Sequence, residues 1–361
     1  MPPSSVRYPS VVLLANGSPV AGLVDVEVHA NNHRSADRFV AAVALSADPT
    51  ALAFWAASPE VSVEIQMSLD GATFASVFQG TVDLVEIDPV EGLLRAEGRD
   101  LTATLIETRT QETFANRTSS EIAALFAAEH NMNSEITPTT TPVGRYYQSE
   151  HDRITLDQFS RATTEWDLLA FLAQQEGFDV FVQANTLHFQ PPSGPDGAFV
   201  LTPNDTTDLR LERALTLARD IEVTVKSWNS RQQSAFTQTA RAHARGVRAL
   251  GAGSGSPQRY VYVRPNLTSD QALKLAQQKL AELTRHHRTF SAVMPGELAL
   301  TPRSVVTLAG TGSDFDQAYF VDSIERRLHV EAGFTQRIRC NNMDSGHQAT
   351  PPADIVAAVT G

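Results

Sequence analysis

Apolar and polar residues alternate with a period of two through roughly the first hundred positions of the chain. The alternation is clearest over residues 23–28, 61–67 and 81–87, where every second side chain is apolar. Dipeptides typical of tight turns stand beside these runs: Asn16-Gly17, Asp70-Gly71 and Glu91-Gly92. Short strands at this spacing with glycine turns predict a small β-barrel or β-sandwich.

The periodicity changes to that of a helix after this region. Thr118 and Glu121 have the spacing of a capping box, and the apolar residues that follow them recur every three or four positions until Asn131. A second helical pattern covers 164–176 and ends at Gly177, which can adopt a left-handed conformation. A hairpin pattern over 178–189 follows. Two helices and a hairpin predict a compact α/β domain.

The β pattern returns in the last part of the chain. Strand-like alternation occupies 220–228, 304–308, 319–324 and 334–340. A helix at about 268–288 interrupts it. This helix starts with a second capping-box pattern, formed by Thr268 and Gln271.

The first and last β regions share an order of elements and one short sequence match. Val82-Asp83-Leu84-Val85-Glu86 corresponds to Val321-Asp322-Ser323-Ile324-Glu325. We therefore predict an α+β, mainly β fold, in which two similar β-domains flank an α/β insert. The expected boundaries are 1–107 for the first β-barrel domain, 108–200 for the insert, 201–345 for the second β-barrel domain with its inserted helix, and 346–361 for a C-terminal tail.

Composition limits the classes of function. The net charge of −12 argues against a protein that grips nucleic acid, although DNA can still slide past a surface that repels phosphate. Apolar runs fall short of the ~20 residues that span a bilayer, and the N-terminus lacks the features of a signal peptide. We expect no membrane segment and folding in a cytoplasm.

Candidate chemical groups are few. Cys340 is the only cysteine, and its place in an alternating strand favours a structural role. The adjacent His286 and His287 point about 100° apart on a helix and cannot chelate one ion together. His29 and His33 lie in a strand-to-loop region without helical register.

Known catalytic and nucleotide-binding patterns are also missing from the sequence. It contains no Gly-x-Ser-x-Gly elbow, no His-Glu-x-x-His and no P-loop. The glycine-rich segment 251–256 leads into a strand, whereas a phosphate loop opens a helix. We therefore predict no catalytic residue, cofactor site or metal site, and no enzymatic activity.

Several segments, taken in order, resemble the phage late control D family of tail hub proteins. This family is related to the contractile-tail baseplate hub and to the base of the type VI secretion spike. The resemblance is carried by Gly98-Arg99-Asp100-Leu101, by 120–131, by the helix and hairpin of 158–189, by Val225-Lys226-Ser227-Trp228-Asn229, and by Met294-Pro295-Gly296, Tyr319-Phe320-Val321 and Gly333-Phe334-Thr335. The chain departs from the family pattern at Thr301-Pro302-Arg303, where a second glycine is expected.

The resemblance implies a structural role in a phage tail or contractile injection system. In such hubs three chains each contribute two tail-tube-like barrels, which form a pseudo-sixfold ring between a sixfold tail tube and a threefold spike. The expected partners are two further copies of the chain, a tail tube or tail-terminal ring protein, and a central spike protein. A tape-measure protein is a further candidate. DNA or effectors would pass through the lumen without specific binding, in a virion assembled in the bacterial cytoplasm.

The C-terminal tail is the one candidate partner-binding segment. Ile355, Val356 and Val359 lie in a short apolar stretch that could add a strand or helix to a partner, and a frayed terminus is the alternative. Two other functions remain open at this point. The chain could be a cell-wall hydrolase or glycan-binding component of the tail tip, or an oligomeric β-adaptor outside any tail.

Overall fold

The described part of the protein is mainly β-sheet, in agreement with the α+β prediction. The computed structural model describes residues 7–32, 35–47, 51–110, 114, 117–140, 142–143, 164–192, 199–215, 221–229, 234–242, 257–264 and 267–342. None of the helices within these ranges is long and apolar enough to span a membrane.

The first β region contains seven strands and two short helices. They are β1 (Ser10–Ala15), β2 (Ser18–Pro19), β3 (Leu23–Asn31), β4 (Arg38–Ala44), α1 (Ala51–Ala57), β5 (Ser62–Ser68), β6 (Ala75–Asp88), β7 (Leu93–Asp100) and α2 (Thr102–Glu107). The predicted turn at Asn16 and Gly17 is confirmed, since both residues have positive φ angles. Strand β4 was not predicted from the sequence, because it is apolar on both faces and therefore lacks a period-two pattern.

The insert combines two helices with a three-stranded sheet. Its elements are α3 (Ser119–Glu129), β8 (Asn133–Ile136), α4 (Glu165–Glu176), β9 (Asp179–Gln183) and β10 (Thr186–Gln190). Both helices begin with a capping box, at Thr118 and Thr164, and α4 ends at Gly177 with a φ of 73°. Asn131 has a φ of 53° and ends the turn after α3, as predicted.

The described residues of the last region form nine strands and one α-helix. They are β11 (Phe199–Leu201), β12 (Asp208–Arg213), β13 (Ile221–Asn229), β14 (Ser234–Ala242), β15 (Gln258–Val263), α5 (Ser269–Thr284), β16 (Arg288–Pro295), β17 (Val305–Leu308), β18 (Ala318–His329) and β19 (Gly333–Asn342). The strands β14, β13 and β15 form a separate sheet. Helix α5 covers this sheet, with Ala276 and Leu280 against Val223 and Val225. The helix predicted at about 268–288 is confirmed with its capping box, but it ends at Thr284, so His286 and His287 lie in the turn after α5 and not on the helix as predicted.

A single large sheet contains strands from both β regions. Its order is β12-β16-β19-β18-β3-β4-β7-β6-β5-β1-β2, and β17 pairs with both β18 and β11. The two regions meet where β18 pairs antiparallel with β3. The strand pairings of the described residues do not close into a barrel, so the closed barrels remain a prediction while the two β regions are seen to share one sheet.

Five strands of the first region recur in the second in the same chain order and with the same antiparallel pairings. Strand unit 1 is β3, β4, β5, β6 and β7, and strand unit 2 is β12, β16, β17, β18 and β19. The long strands β6 and β18 both bulge at the matching aspartates, Asp83 and Asp322. The short repeat read from the sequence therefore marks equivalent positions in a duplicated unit.

Candidate assembly surface

The joint between the two strand units is tightly packed. Val26 and Val28 of β3 are 0% and 1% exposed, and Ile324 of β18 is 1% exposed. On the outer face Arg327 and Asp25 form a two-pronged ion pair, with Arg327 Nη2 lying 2.7 Å and Nε 3.0 Å from the two carboxylate oxygens. The pairing of β3 with β18 thus joins the units by backbone, apolar and charged contacts together.

The bulge at Asp322 gives β18 two partners on one edge. Before the bulge β18 pairs with β17, and after it the residues from Ser323 to His329 pair with β3. Strand β6 begins in the same way, since its first half pairs with β5. After the bulge at Asp83, however, its second half pairs only with β7 within the described residues. The counterpart of the joint edge is therefore open in unit 1.

The other open edge belongs to unit 2. Strand β12 is the equivalent of β3, and it pairs on one side with β16 and on the other with no strand of the described residues. Leu209 and Leu211 on β12 are half-buried. Leu84, in the second half of β6, is 55% exposed, and Val90, two residues beyond the end of β6, is 94% exposed. Both edges also carry charged residues, as strands at a solvent edge usually do. The two edges thus combine unpaired backbone groups with partly exposed apolar side chains and charges of both signs.

A second feature is a charged cleft between the insert and the large sheet. This cavity has a volume of about 620 Å³. The side chains relevant to its chemistry are Asp37, Asp100, Phe181, His188, Arg303 and Arg326. They come from the loop before β4, the end of β7, the β9–β10 hairpin, the loop before β17, and β18. The cleft therefore lies where three parts of the chain meet.

Two acidic side chains of the cleft are shifted towards their neutral forms. Asp100 is 7% exposed, and burial, together with the nearby Asp37, raises its pKa to about 8. Burial also raises the pKa of Asp37 to about 6, against the opposing effect of a backbone hydrogen bond from Asn31 and of two arginines. Asn31 N and Thr102 Oγ1 donate to these carboxyl groups at 2.9 and 3.0 Å. At neutral pH the pair retains a proton.

The arginines of the cleft link the three parts of the chain. Arg303 stacks on the Phe181 ring of the insert, 3.6 Å from the ring centre to the guanidinium carbon, and donates to Asn32 Oδ1 of unit 1 at 3.3 Å. Arg326 is 4% exposed and donates to the carbonyl oxygen of Leu300, and its burial lowers its pKa to about 10. His188 lies parallel to Phe181 with ring centres 4.5 Å apart, and burial lowers its pKa.

The structure places the candidate residues of the sequence in separate environments. Cys340 is buried in β19, as its alternating strand pattern predicted, and burial raises the pKa of its thiol. His29 contacts Glu27 on its own strand, and His287 is buried. Within the described ranges no group of three His, Cys, Asp or Glu side chains is arranged to hold a metal ion.

Three candidates cannot be placed. His33, the glycine-rich segment 251–256 and the tail residues Ile355, Val356 and Val359 lie outside the described residues. Conversely, the Asp37–Asp100 pair was not predicted from the sequence, because the two aspartates come from distant segments and no local pattern marks either of them as buried.

A family model known as the Alg8 N-terminal domain matches residues 56–329. The chain belongs to this family. The match runs from α1 to the end of β18, so the Alg8 N-terminal domain family covers most of unit 1, the insert and the larger part of unit 2. No curated protein matches the chain.

Solved structures share the fold at low sequence identity. A tail protein from Neisseria meningitidis is 14% identical, with a TM-score of 0.67 over 93% of this chain and 97% of that chain. The 43 kDa tail protein of prophage MuSo2 from Shewanella oneidensis is 17% identical, with a TM-score of 0.64 over 94% and 98%. A type VI secretion component of Escherichia coli, described as similar to the bacteriophage T4 tail proteins gp27 and gp5, is 12% identical, with a TM-score of 0.52 over 94% and 79%. The chain therefore has the fold of tail and type VI secretion proteins.

Proposed function

We propose that this member of the Alg8 N-terminal domain family is a structural tail or baseplate hub protein that acts as a trimeric ring rather than as an enzyme. The duplicated strand unit is the observation that carries the proposal. Each chain holds two equivalent units joined edge to edge, and one open edge of each kind is left over. An interface in which unlike edges meet forms a closed ring when the rotation per copy allows it. Three copies supply six equivalent units.

Six units in three chains reconcile two symmetries. A ring of this kind presents a nearly sixfold face to a tail tube or tail-terminal ring protein and a threefold face to a central spike protein. The similarity in fold to tail proteins over nearly the full length of both chains supports this role. Location in the virion tail, after assembly in the host cytoplasm, is part of the same proposal.

The ring has a central channel in this proposal, through which DNA or an effector passes. The net charge of −12 suits a channel that must not bind phosphate, since like charges repel. A tape-measure protein is a further candidate for contact with the channel.

A second candidate function, a hydrolase of cell-wall glycans, is favoured by one observation. Glycoside hydrolases use two carboxyl groups, one of them protonated, and Asp37 and Asp100 are such a pair beside a cavity. The hydrogen bonds from Asn31 and Thr102 instead hold both carboxyl groups to their own loops, which suits a structural role. A peptidoglycan zymogram distinguishes the two functions. A cleared band that is lost in Asp100→Asn would establish the hydrolase.

The proposed hub is tested by the mass of the purified protein in solution. Light scattering over a concentration series should show a stable species near three times the chain mass of 39.2 kDa. A ring-shaped particle with a central hole in negative-stain images would then be expected. A chain that remains monomeric at the highest concentration contradicts the proposal.

A further inference from the structure

We propose that the ring closes when β12 of one copy pairs antiparallel with the second half of β6 of the neighbouring copy, in the register that β3 and β18 adopt inside each chain. This inference rests on the proposed function, because it requires a ring of copies. It adds the two surfaces that meet, their direction and the residues that face each other.

The register follows from the duplication. Val82 precedes the bulge of β6 and pairs with Gly98, and Val321 precedes the bulge of β18 and pairs with Cys340. Val82 and Val321 are therefore equivalent. Counting the same number of residues onwards from each makes Ile87 of β6 the equivalent of Arg326 of β18. Phe39 and Phe290 occupy equivalent places next to those partners.

The same two phenylalanines fix the other edge. Val28 pairs with Phe39 on β4, and Leu211 pairs with Phe290 on β16, so Leu211 of β12 is the equivalent of Val28 of β3. Since Arg326 lies opposite Val28 within the chain, Ile87 is expected opposite Leu211 of the neighbouring copy.

Side chains at the open edges are less buried than their equivalents in the closed joint, as expected if a partner strand is missing there. Val28 is 1% exposed in the joint, and Arg326 opposite it is 4% exposed. Their equivalents Leu211 and Ile87 are both only half-buried. Pairing the open edges would remove these apolar side chains from water and would give hydrogen-bond partners to two rows of backbone groups.

The charges along the two open edges also correspond. Inside the chain Arg327 lies opposite Glu27. At the equivalent positions of the open edges Asp88 of β6 would lie opposite Arg210 of β12. The acidic and basic residues have exchanged strands, but the two charges are still opposite and attract each other. The next outward-facing pair, Glu86 opposite Glu212, brings two like charges together and should weaken the contact.

A disulfide between copies tests this register in the full chain. Residues opposite each other on paired antiparallel strands have Cα atoms about 4.5–5.5 Å apart, within the range that a disulfide requires. Glu86→Cys combined with Glu212→Cys places one cysteine on each edge and also removes the repulsive pair. Mild oxidation should give covalent dimers and trimers on a non-reducing gel.

The matched control shifts one cysteine along the same face of β12. Glu86→Cys combined with Asp208→Cys separates the thiols by four residues along the strand, roughly 13 Å at the usual rise per residue, so we expect at least about a tenfold lower yield of crosslinked species. Glu86→Cys alone should give no disulfide-linked trimer on the non-reducing gel. Equal yields from the in-register and shifted pairs would overturn the proposed register.

The mass measurement separates failure of the interface from failure of the function. A trimer in solution that the in-register pair does not crosslink overturns the β12–β6 pairing and leaves the hub intact. A monomer without crosslinks overturns both.

A second variant should strengthen the contact. Glu86→Lys replaces a repulsive pair by an attractive one at an exposed position, and should lower the dissociation constant of the trimer about three- to tenfold. A dissociation constant that is unchanged or raised contradicts the proposed pairing.

Discussion

Asp100 shows how one side chain can make the stability of the fold depend on pH. Its pKa is raised to about 8 in the folded protein from an ordinary value of 3.8, chiefly by burial. The folded state therefore holds a proton that the unfolded state releases once the pH exceeds about 4. Because the unfolded state binds fewer protons, stability from this group falls as the pH rises from about 4 to about 8. Asp37 acts in the same direction up to a pH of about 6.

Asp100→Asn should remove much of this dependence. The amide resembles the protonated carboxyl group and cannot ionise, so the variant should be more stable than the wild type at about pH 8, by roughly 2–5 kcal/mol, with little difference near pH 4. Urea unfolding followed by circular dichroism between pH 5 and pH 8 checks this. Glu91→Gln, in an exposed turn, is the matched control and should follow the wild type. An Asp100→Asn curve parallel to the wild type would contradict the explanation.

Gly98 has a different role, which is steric. A Cβ atom at this position would lie 2.0 Å from the carbonyl oxygen of Thr81, next to the bulge of β6. The Gly98-Arg99-Asp100-Leu101 segment that suggested the family resemblance thus combines a close backbone contact with a buried carboxyl group. Arg303 differs from Gly98, because it is a residue with a large side chain at a backbone conformation that favours glycine. It has a φ of 88°, in the region that favours glycine, and lies in the Thr301-Pro302-Arg303 segment where the resemblance led us to expect a glycine.

At the scale of elements, Arg303 explains how the insert is attached to the sheet. Its guanidinium group touches the β9–β10 hairpin through Phe181 and unit 1 through Asn32, while its backbone N–H donates to Val321 of unit 2 at 2.9 Å. A lysine lacks the planar group that stacks on an aromatic ring. The side-chain contacts of Arg303 thus offset the cost of its unfavourable backbone conformation.

Arg303→Ala should loosen the insert. We expect a loss of roughly 2–4 kcal/mol of stability, because the ring contact and a charge close to buried Asp37 both disappear. Faster hydrogen exchange in β9 and β10 than in β3 would locate the effect. Arg303→Lys should recover less than half of the loss. Arg241→Ala, which breaks an exposed ion pair with Glu222, is the control and should cost under about 1 kcal/mol. Equal effects of Arg303→Ala and Arg241→Ala would contradict the role of Arg303.

At the scale of the whole molecule, the shared sheet couples the two β regions. Leu328 and Phe334 of unit 2 belong to the same core as Val26 and Val28 of unit 1, so opening one unit would expose apolar surface of the other. Units with this much common core should unfold cooperatively rather than as independent domains.

Hydrogen exchange of the full chain tests this coupling. Amides in the centres of β3, β4, β18 and β19 should show closely similar protection, within about 1 kcal/mol, because all four strands open in one transition. Val28→Asp should lower the protection of both units by several kcal/mol, since it places a charge in the joint. Val263→Asp, at an exposed position of β15 in the separate three-stranded sheet, should leave protection unchanged. Loss of protection in unit 1 alone after Val28→Asp would show that the two regions unfold separately.

The sequence by itself determined the elements whose signals are short-range. Alternation predicted β3, β5 and the second half of β6. The capping boxes at Thr118 and Thr268 predicted the starts of α3 and α5, and helical spacing with Gly177 predicted α4, because these signals come from contacts within a few residues. The repeated Val-Asp pattern even marked the two bulges. It did not reveal β4 or β16, the first of which is apolar on both faces.

Only the tertiary structure decided which edges are joined and which are open. The pairing of β3 with β18 links residues from opposite ends of the chain, and the neighbours of Asp37, Asp100 and Arg303 come from three different regions. No local pattern encodes these contacts, because burial and strand pairing depend on the position of distant segments in space. The same physical reason explains why two strands with ordinary amphipathic sequences, β12 and the end of β6, can be recognised as candidate assembly edges only in the folded chain.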